Sequence, residues 1–144
     1  MEEKNIDGLI IKYNKLSITH KEPILSFGNR GNIANNVYPI NGKFRDVDTQ
    51  HSAILDLWIN VVDVDLEIPE NILIEFKAEF FIDRENEKIN PKKDLFTLTD
   101  FSLSLIQEYV NDNLVKDKQG QLLEVPALTA LNFDEWLFPY PKSE

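Results

Sequence analysis

The stretch Ile72-Leu73-Ile74-Glu75-Phe76-Lys77-Ala78-Glu79-Phe80-Phe81-Ile82-Asp83 decides the fold. Its even positions are all apolar, while its odd positions are mostly charged. Successive side chains of a strand point to opposite faces, so this period of two predicts a strand that buries Ile72, Ile74, Phe76, Ala78, Phe80 and Ile82. The segment before it reads as a partner strand running from Ala53 to Ile68, with a tight turn at Pro69-Glu70-Asn71. Its apolar set is first odd (Leu55, Leu57, Ile59, Val61) and then even (Val62, Val64, Leu66, Ile68). A parity switch at Val61-Val62 predicts a bulge, which inserts one residue and re-aims the face. The alternative is a sheet covered on both sides there.

Outward from this hairpin, Leu9 to Thr19 reads as a first strand with a bend around Asn14-Lys15. Residues 1–8 are charged and read as a frayed end. Pro23 ends that strand or marks a sheet edge, because it has no amide to give to a ladder. The Gly- and Asn-rich run from Ser26 to Asn36 reads as a loop. Its Gly28-Asn29-Arg30-Gly31-Asn32 lacks the Gly-Lys-Ser/Thr ending of a phosphate cradle. A short strand is expected over Lys43–Thr49. On the far side, Glu85–Asp94 reads as a charged surface connection, with Thr97 or Thr99 as a helix cap. From Asp100 the period becomes 3.6, with Phe101, Leu105, Ile106, Tyr109, Val110 and Leu114 on one stripe of an amphipathic helix. The helix is expected to fade towards Gly120. An extended segment containing Pro126 follows, and then a short helix capped by Asn132, with Glu135 three residues later.

The chain has 144 residues and reads as a single domain, 1–144. Its net charge of −10 argues against nucleic acid, whose phosphates repel an acidic surface. The absence of cysteine excludes disulfides and thiolate metal sites. Met1-Glu2-Glu3-Lys4 does not open a signal peptide, and no apolar run approaches the ~20 residues needed to span a bilayer, so no membrane insertion and a cytoplasmic address are expected.

No catalytic constellation is evident. His20 and His51 lack the spaced partners of a zinc motif. Asp63, Asp65, Glu67 and Glu70 form a charged row that reads as a solvated strand face. The aromatic residues carry the functional hint. Phe81 lies on the polar face of its strand, and Trp136-Leu137-Phe138 lies near the C-terminus. Apolar side chains left exposed mark binding or subunit surfaces.

Ile54-Leu55-Asp56-Leu57-Trp58-Ile59-Asn60-Val61, Leu73-Ile74-Glu75-Phe76, Ile106-Gln107-Glu108-Tyr109-Val110, Val125-Pro126-Ala127-Leu128 and Asn132-Phe133-Asp134-Glu135-Trp136 follow one another in a suggestive order. They resemble the SecB family of export chaperones, small acidic cytoplasmic proteins. The family's Pro-Tyr-Ala-Arg helix start falls here on Ser104–Gln107, and its Gly-Gly pair near Ala78–Phe80. The resemblance implies an α+β fold: a four-stranded antiparallel sheet with a long helix and a short C-terminal helix on one face. It implies a homodimer or homotetramer that holds unfolded clients in apolar grooves between sheet and helix, without nucleotide or metal. Client-binding or interface residues would be Trp58, Phe76, Phe81, Leu105, Tyr109, Trp136 and Phe138. Docking to a SecA-type motor would use Leu73 and Glu75, while the family's acidic first-strand positions fall on Lys15 and Thr19. Protection of an antitoxin is the family's other role. Outside the family, an immunity-type inhibitor of one basic partner is the alternative, and a hydrolase using the Asp63–Glu67 carboxylates a more distant one.

Overall fold

The computed structural model describes residues 2–25, 40–48, 52–62, 70–85, 88–116, 122–130 and 133–134. At its centre, β4 (Ser52–Val62) pairs antiparallel with β5 (Glu70–Arg84). The even residues of β5 and the odd residues Ala53, Leu55, Leu57 and Ile59 of β4 face each other in one buried layer. The register is continuous from Ser52↔Phe81 to Val62↔Asn71, so the expected bulge at Val61-Val62 is absent from this pairing. Glu70 and Asn71 begin β5 rather than forming the turn, and the expected strand residues 63–68, with Pro69, lie outside the described residues.

Among the described residues the sheet has five strands, in the order β1-β2-β5-β4-β3, rather than the expected four. The additional one is β1 (Glu2–Ile6), which pairs antiparallel with the start of β2 (Leu9–Leu25). Asp7 and Gly8 join them, both at positive φ, as a two-residue hairpin turn requires. Glu2-Glu3-Lys4-Asn5 carries no apolar face, and only Ile6 is partly buried, so main-chain pairing holds most of this strand, with the Glu3–Lys12 ion pair and Ile6 beside it. The expected bend in β2 is a register shift between Tyr13 and Lys15, and a second shift lies between Lys21 and Ile24. Pro23 falls in the second shift, where its missing amide breaks no ladder bond, and β2 continues past it to Leu25. On the other side, β3 (Ile40–Asp48) pairs with β4 and buries Ile40 and Phe44. Strands β3, β4 and β5 are consecutive antiparallel neighbours, while β2 crosses over to lie against β5, which is a Greek-key arrangement.

One helix covers the buried face. α1 spans Pro91–Asn113 and starts well before the expected cap at Thr97 or Thr99. Asn90 is the cap, its side chain accepting from the Lys93 amide at 3.2 Å. Pro91 takes the first turn, where a missing amide costs nothing and a fixed φ favours the helix. The helix stops at Leu114, in the left-handed region at φ 53°, short of Gly120. Asp94, fully buried, ties this helix start to the sheet. It accepts from Arg84 (2.5 Å from Nη2, 3.1 Å from Nε) and from the Asn90 amide at 2.7 Å. The same Arg84 donates from Nη1 to the Asp7 carbonyl at 2.9 Å, so one guanidinium joins the β1–β2 turn, the end of β5 and the helix.

After α1, the chain returns along the helix as an extended segment. The Gln107 side chain donates to the Leu123 carbonyl at 3.0 Å and accepts from the Val125 amide at 2.8 Å. Of the expected short C-terminal helix, only Phe133 and Asp134 are described, in helical conformation, as is Ala130 before it. α1 is therefore the single helix with defined bounds among the described residues, and the two-helix layer is not found. Phe133 closes the core against Phe96 and Phe44, at ring-centroid distances of 5.2 and 6.1 Å. Among the described residues, no helix is long and apolar enough to cross a membrane.

Candidate functional site

The residues singled out from the sequence do not converge on one site. Phe76 is 0% exposed in the middle of the core and is out of reach of any partner. Trp58, Leu73, Glu75 and Phe81 lie on the opposite, outward face of the sheet, because β4 and β5 alternate in the register described above. Leu105 and Tyr109 lie on α1, partly buried against the core. Trp136 and Phe138 lie outside the described residues, as do Asp63, Asp65, Glu67, His51 and the Gly28–Asn32 run.

The outward face is chiefly a field of cross-strand charges. Lys15 lies opposite Glu79, with 3.5 Å between their charged atoms, and Lys12 lies opposite Glu3 at 3.7 Å. Lys21 reaches Glu75 at 3.6 Å, and Arg45 reaches Asp56 at 2.6 Å. Thr19 stands opposite Glu75, so the expected docking pair Leu73 and Glu75 sits beside a lysine and a threonine. Trp58 and Leu73 are half-buried among these groups, and Phe81, 43% exposed, stands at one end of the field. Opposite charges directly across a ladder stabilise it and keep this face wet.

A different place stands out, at the edge of β2 away from β5. Strand β1 covers this edge only from Leu9 to Tyr13. From Lys15 onward, no strand among the described residues pairs with it. The helix follows the same line. Phe101 sits over Tyr13, with ring centroids 6.0 Å apart, and Tyr109 over His20, where Oη and Nδ1 lie 2.7 Å apart. α1 therefore runs alongside β2 in the same direction. Its far flank is covered by the segment that Gln107 holds. Leu16 and Ile18 of β2 lie on the helix side of the sheet, opposite Ala78 and Phe76, and Ile18 packs against the core, as do Leu105 and Tyr109 of α1. Leu16 is 37% exposed although it lies on the buried side of the sheet.

Charges frame this apolar flank. Glu108 and Asp112 are exposed on α1, and Lys15 and Lys21 project on the outward side of β2. Burial raises the Tyr13 phenol above its ordinary value, and the carboxylates of Glu2 and Glu108 add to the effect. Both carboxylates therefore act at the point where β1 ends. Among the described residues, no group of three His, Asp or Glu side chains could hold a metal ion. His20 spends a ring nitrogen on Tyr109, as an anchor between sheet and helix.

Sequence reasoning found Leu105 and Tyr109 but missed Leu16 and Ile18. No family model, curated protein or solved structure matches this chain.

Proposed function

We propose that this protein binds extended segments of other polypeptides, holding them without catalysis, as a chaperone does. The observation that carries this reading is the apolar group beside the edge of β2 that no strand among the described residues pairs beyond Tyr13: exposed Leu16 and partly buried Ile18 on β2, with partly buried Leu105 and Tyr109 on α1. An apolar strip beside a strand edge that has no partner among the described residues suits an unfolded chain, which offers both main-chain groups and alternating side chains. The SecB-like motifs in Ile106–Val110 and Val125–Leu128 point the same way.

The test is suppression of aggregation of several unrelated unfolded proteins, without nucleotide. Suppression is expected to persist at ~0.5 M salt, where exposed charges are screened beyond a few Å but apolar burial is not. Leu16→Glu is expected to weaken it while leaving the fold intact, since Leu16 is already partly exposed. A protein that ignores every unfolded chain, yet binds one folded partner tightly, is a dedicated inhibitor, and the chaperone reading falls.

A further inference from the structure

We infer that the bound segment adds to the sheet as a strand along Lys15–Lys21 of β2, antiparallel to it and in line with β1, with acidic or hydroxyl residues outward and apolar residues towards α1. This rests on the polypeptide-binding reading and specifies how that site recognises its partner.

The first argument is continuity. β1 already occupies the upper part of the same edge in antiparallel pairing, with its side chains exposed except for the partly buried Ile6. The edge therefore accepts a strand chiefly through its main chain. Below β1, the register shifts at Tyr13/Lys15 and Lys21/Ile24 bound an uninterrupted stretch, Lys15 to Lys21. That is room for a seven-residue partner.

The second argument is charge. On β1, Glu3 stands opposite Lys12 in an ion pair of 3.7 Å, and Ile6 stands opposite Leu9 on the helix side. Further down, Lys15 and Lys21 pair with Glu79 and Glu75 of β5 on the outward face, and a strand added at the edge would place its own side chains beside the same two lysines. Lys15, Ser17, Thr19 and Lys21 point outward, and Leu16, Ile18 and His20 point towards α1. A complementary heptad thus carries acids opposite the two lysines, hydroxyls opposite Ser17 and Thr19, and apolar side chains between them.

A second copy of the chain fits less well. Each copy's own β1 fills Leu9–Tyr13, so two β2 strands can pair over the whole free stretch only about a two-fold axis at Ile18. That register sets Lys15 directly against Lys21 twice, and like charges directly opposite destabilise a ladder. It also brings together two chains of net charge −10.

The probe is an acetylated, amidated peptide of sequence glutamate–valine–threonine–valine–threonine–valine–glutamate, with two derivatives. One is N-methylated on its odd residues and the other on its even residues. In an antiparallel ladder, alternate residues direct their amides to opposite edges, so only one derivative loses its bonds to β2. The expected result is one derivative binding like the parent and the other weaker by about tenfold or more. Lysine in place of both glutamates is expected to weaken binding at low salt. Equal affinities for the two derivatives, or no peptide binding by a protein that still holds unfolded chains, overturn strand addition and leave the chaperone reading standing. Binding of neither peptide nor unfolded protein overturns both. A dimer that the peptide dissociates identifies the occupant as a second copy and overturns the proposed partner.

Discussion

Replacing Asp94 by alanine tests the joint on which the sheet edge depends. The carboxylate is fully buried and the Arg84 side chain is 7% exposed, so removing the acid takes a buried carboxylate partner from a cation that is itself almost fully buried. Breaking a buried pair from one side costs about 3–5 kcal/mol, against a total stability of about 5–15 for a domain. A chain of this size shifts its melting temperature by roughly 3–4 °C per kcal/mol, so a fall of about 10–20 °C is expected. Replacing both partners at once, Asp94→Leu with Arg84→Met, should recover much of the loss, because the desolvation cost of both charges disappears with them.

The same variant carries a pH signature. Burial alone would raise the Asp94 carboxyl, but hydrogen bonds from Arg84 and the Asn90 amide, with the charges of Arg84 and Lys93, leave it below its ordinary value of 3.8. A carboxyl whose folded pKa is depressed stabilises the fold fully above its unfolded value, and the contribution is lost as pH falls through the folded value. Urea midpoints followed by circular dichroism should therefore differ most between parent and Asp94→Ala at about pH 6–7, and converge in acid. A difference below about 0.5 kcal/mol at neutral pH, or one that does not shrink in acid, refutes the reasoning.

Two further outcomes follow from the register and the cap. Phe76→Ala should cost about 3–5 kcal/mol in a urea titration, whereas Glu79→Ala, on the outward face with a surface partner in Lys15, should cost no more than about 1. Asn90→Ala should lower stability by about 1 kcal/mol in the same assay, through loss of the bond to the Lys93 amide, and an unchanged midpoint would remove Asn90 as the cap.

The strand that decides the fold was legible because β5 is buried on one face along its whole length, so its alternation survives in the sequence. β1 was not, because an edge strand held by its main chain needs no apolar pattern, and Glu2-Glu3-Lys4-Asn5 has none. The helix start was hidden by Pro91, which breaks a helix anywhere but in its first turn, where it stands. Asp94 looked like one charge in a charged connection, and only the fold brings Arg84 to it. The candidate site was half visible for a related reason. The stripe on α1 contained Leu105 and Tyr109, but their exposure depends on where β1 ends relative to α1. That is a fact of strand order, and β2 lies against β5 only through a crossover that no local pattern records.

The most direct measurement is amide hydrogen exchange of the intact protein with and without a saturating unfolded polypeptide. Strand addition at the open edge predicts new protection within Lys15–Lys21 of β2, alternating from residue to residue because only every second amide faces the edge. The already paired Ile54–Ile59 segment of β4 should be unchanged. Protection confined to the outward face around Trp58 and Phe81, or no change in β2 while the polypeptide is bound, would contradict the account.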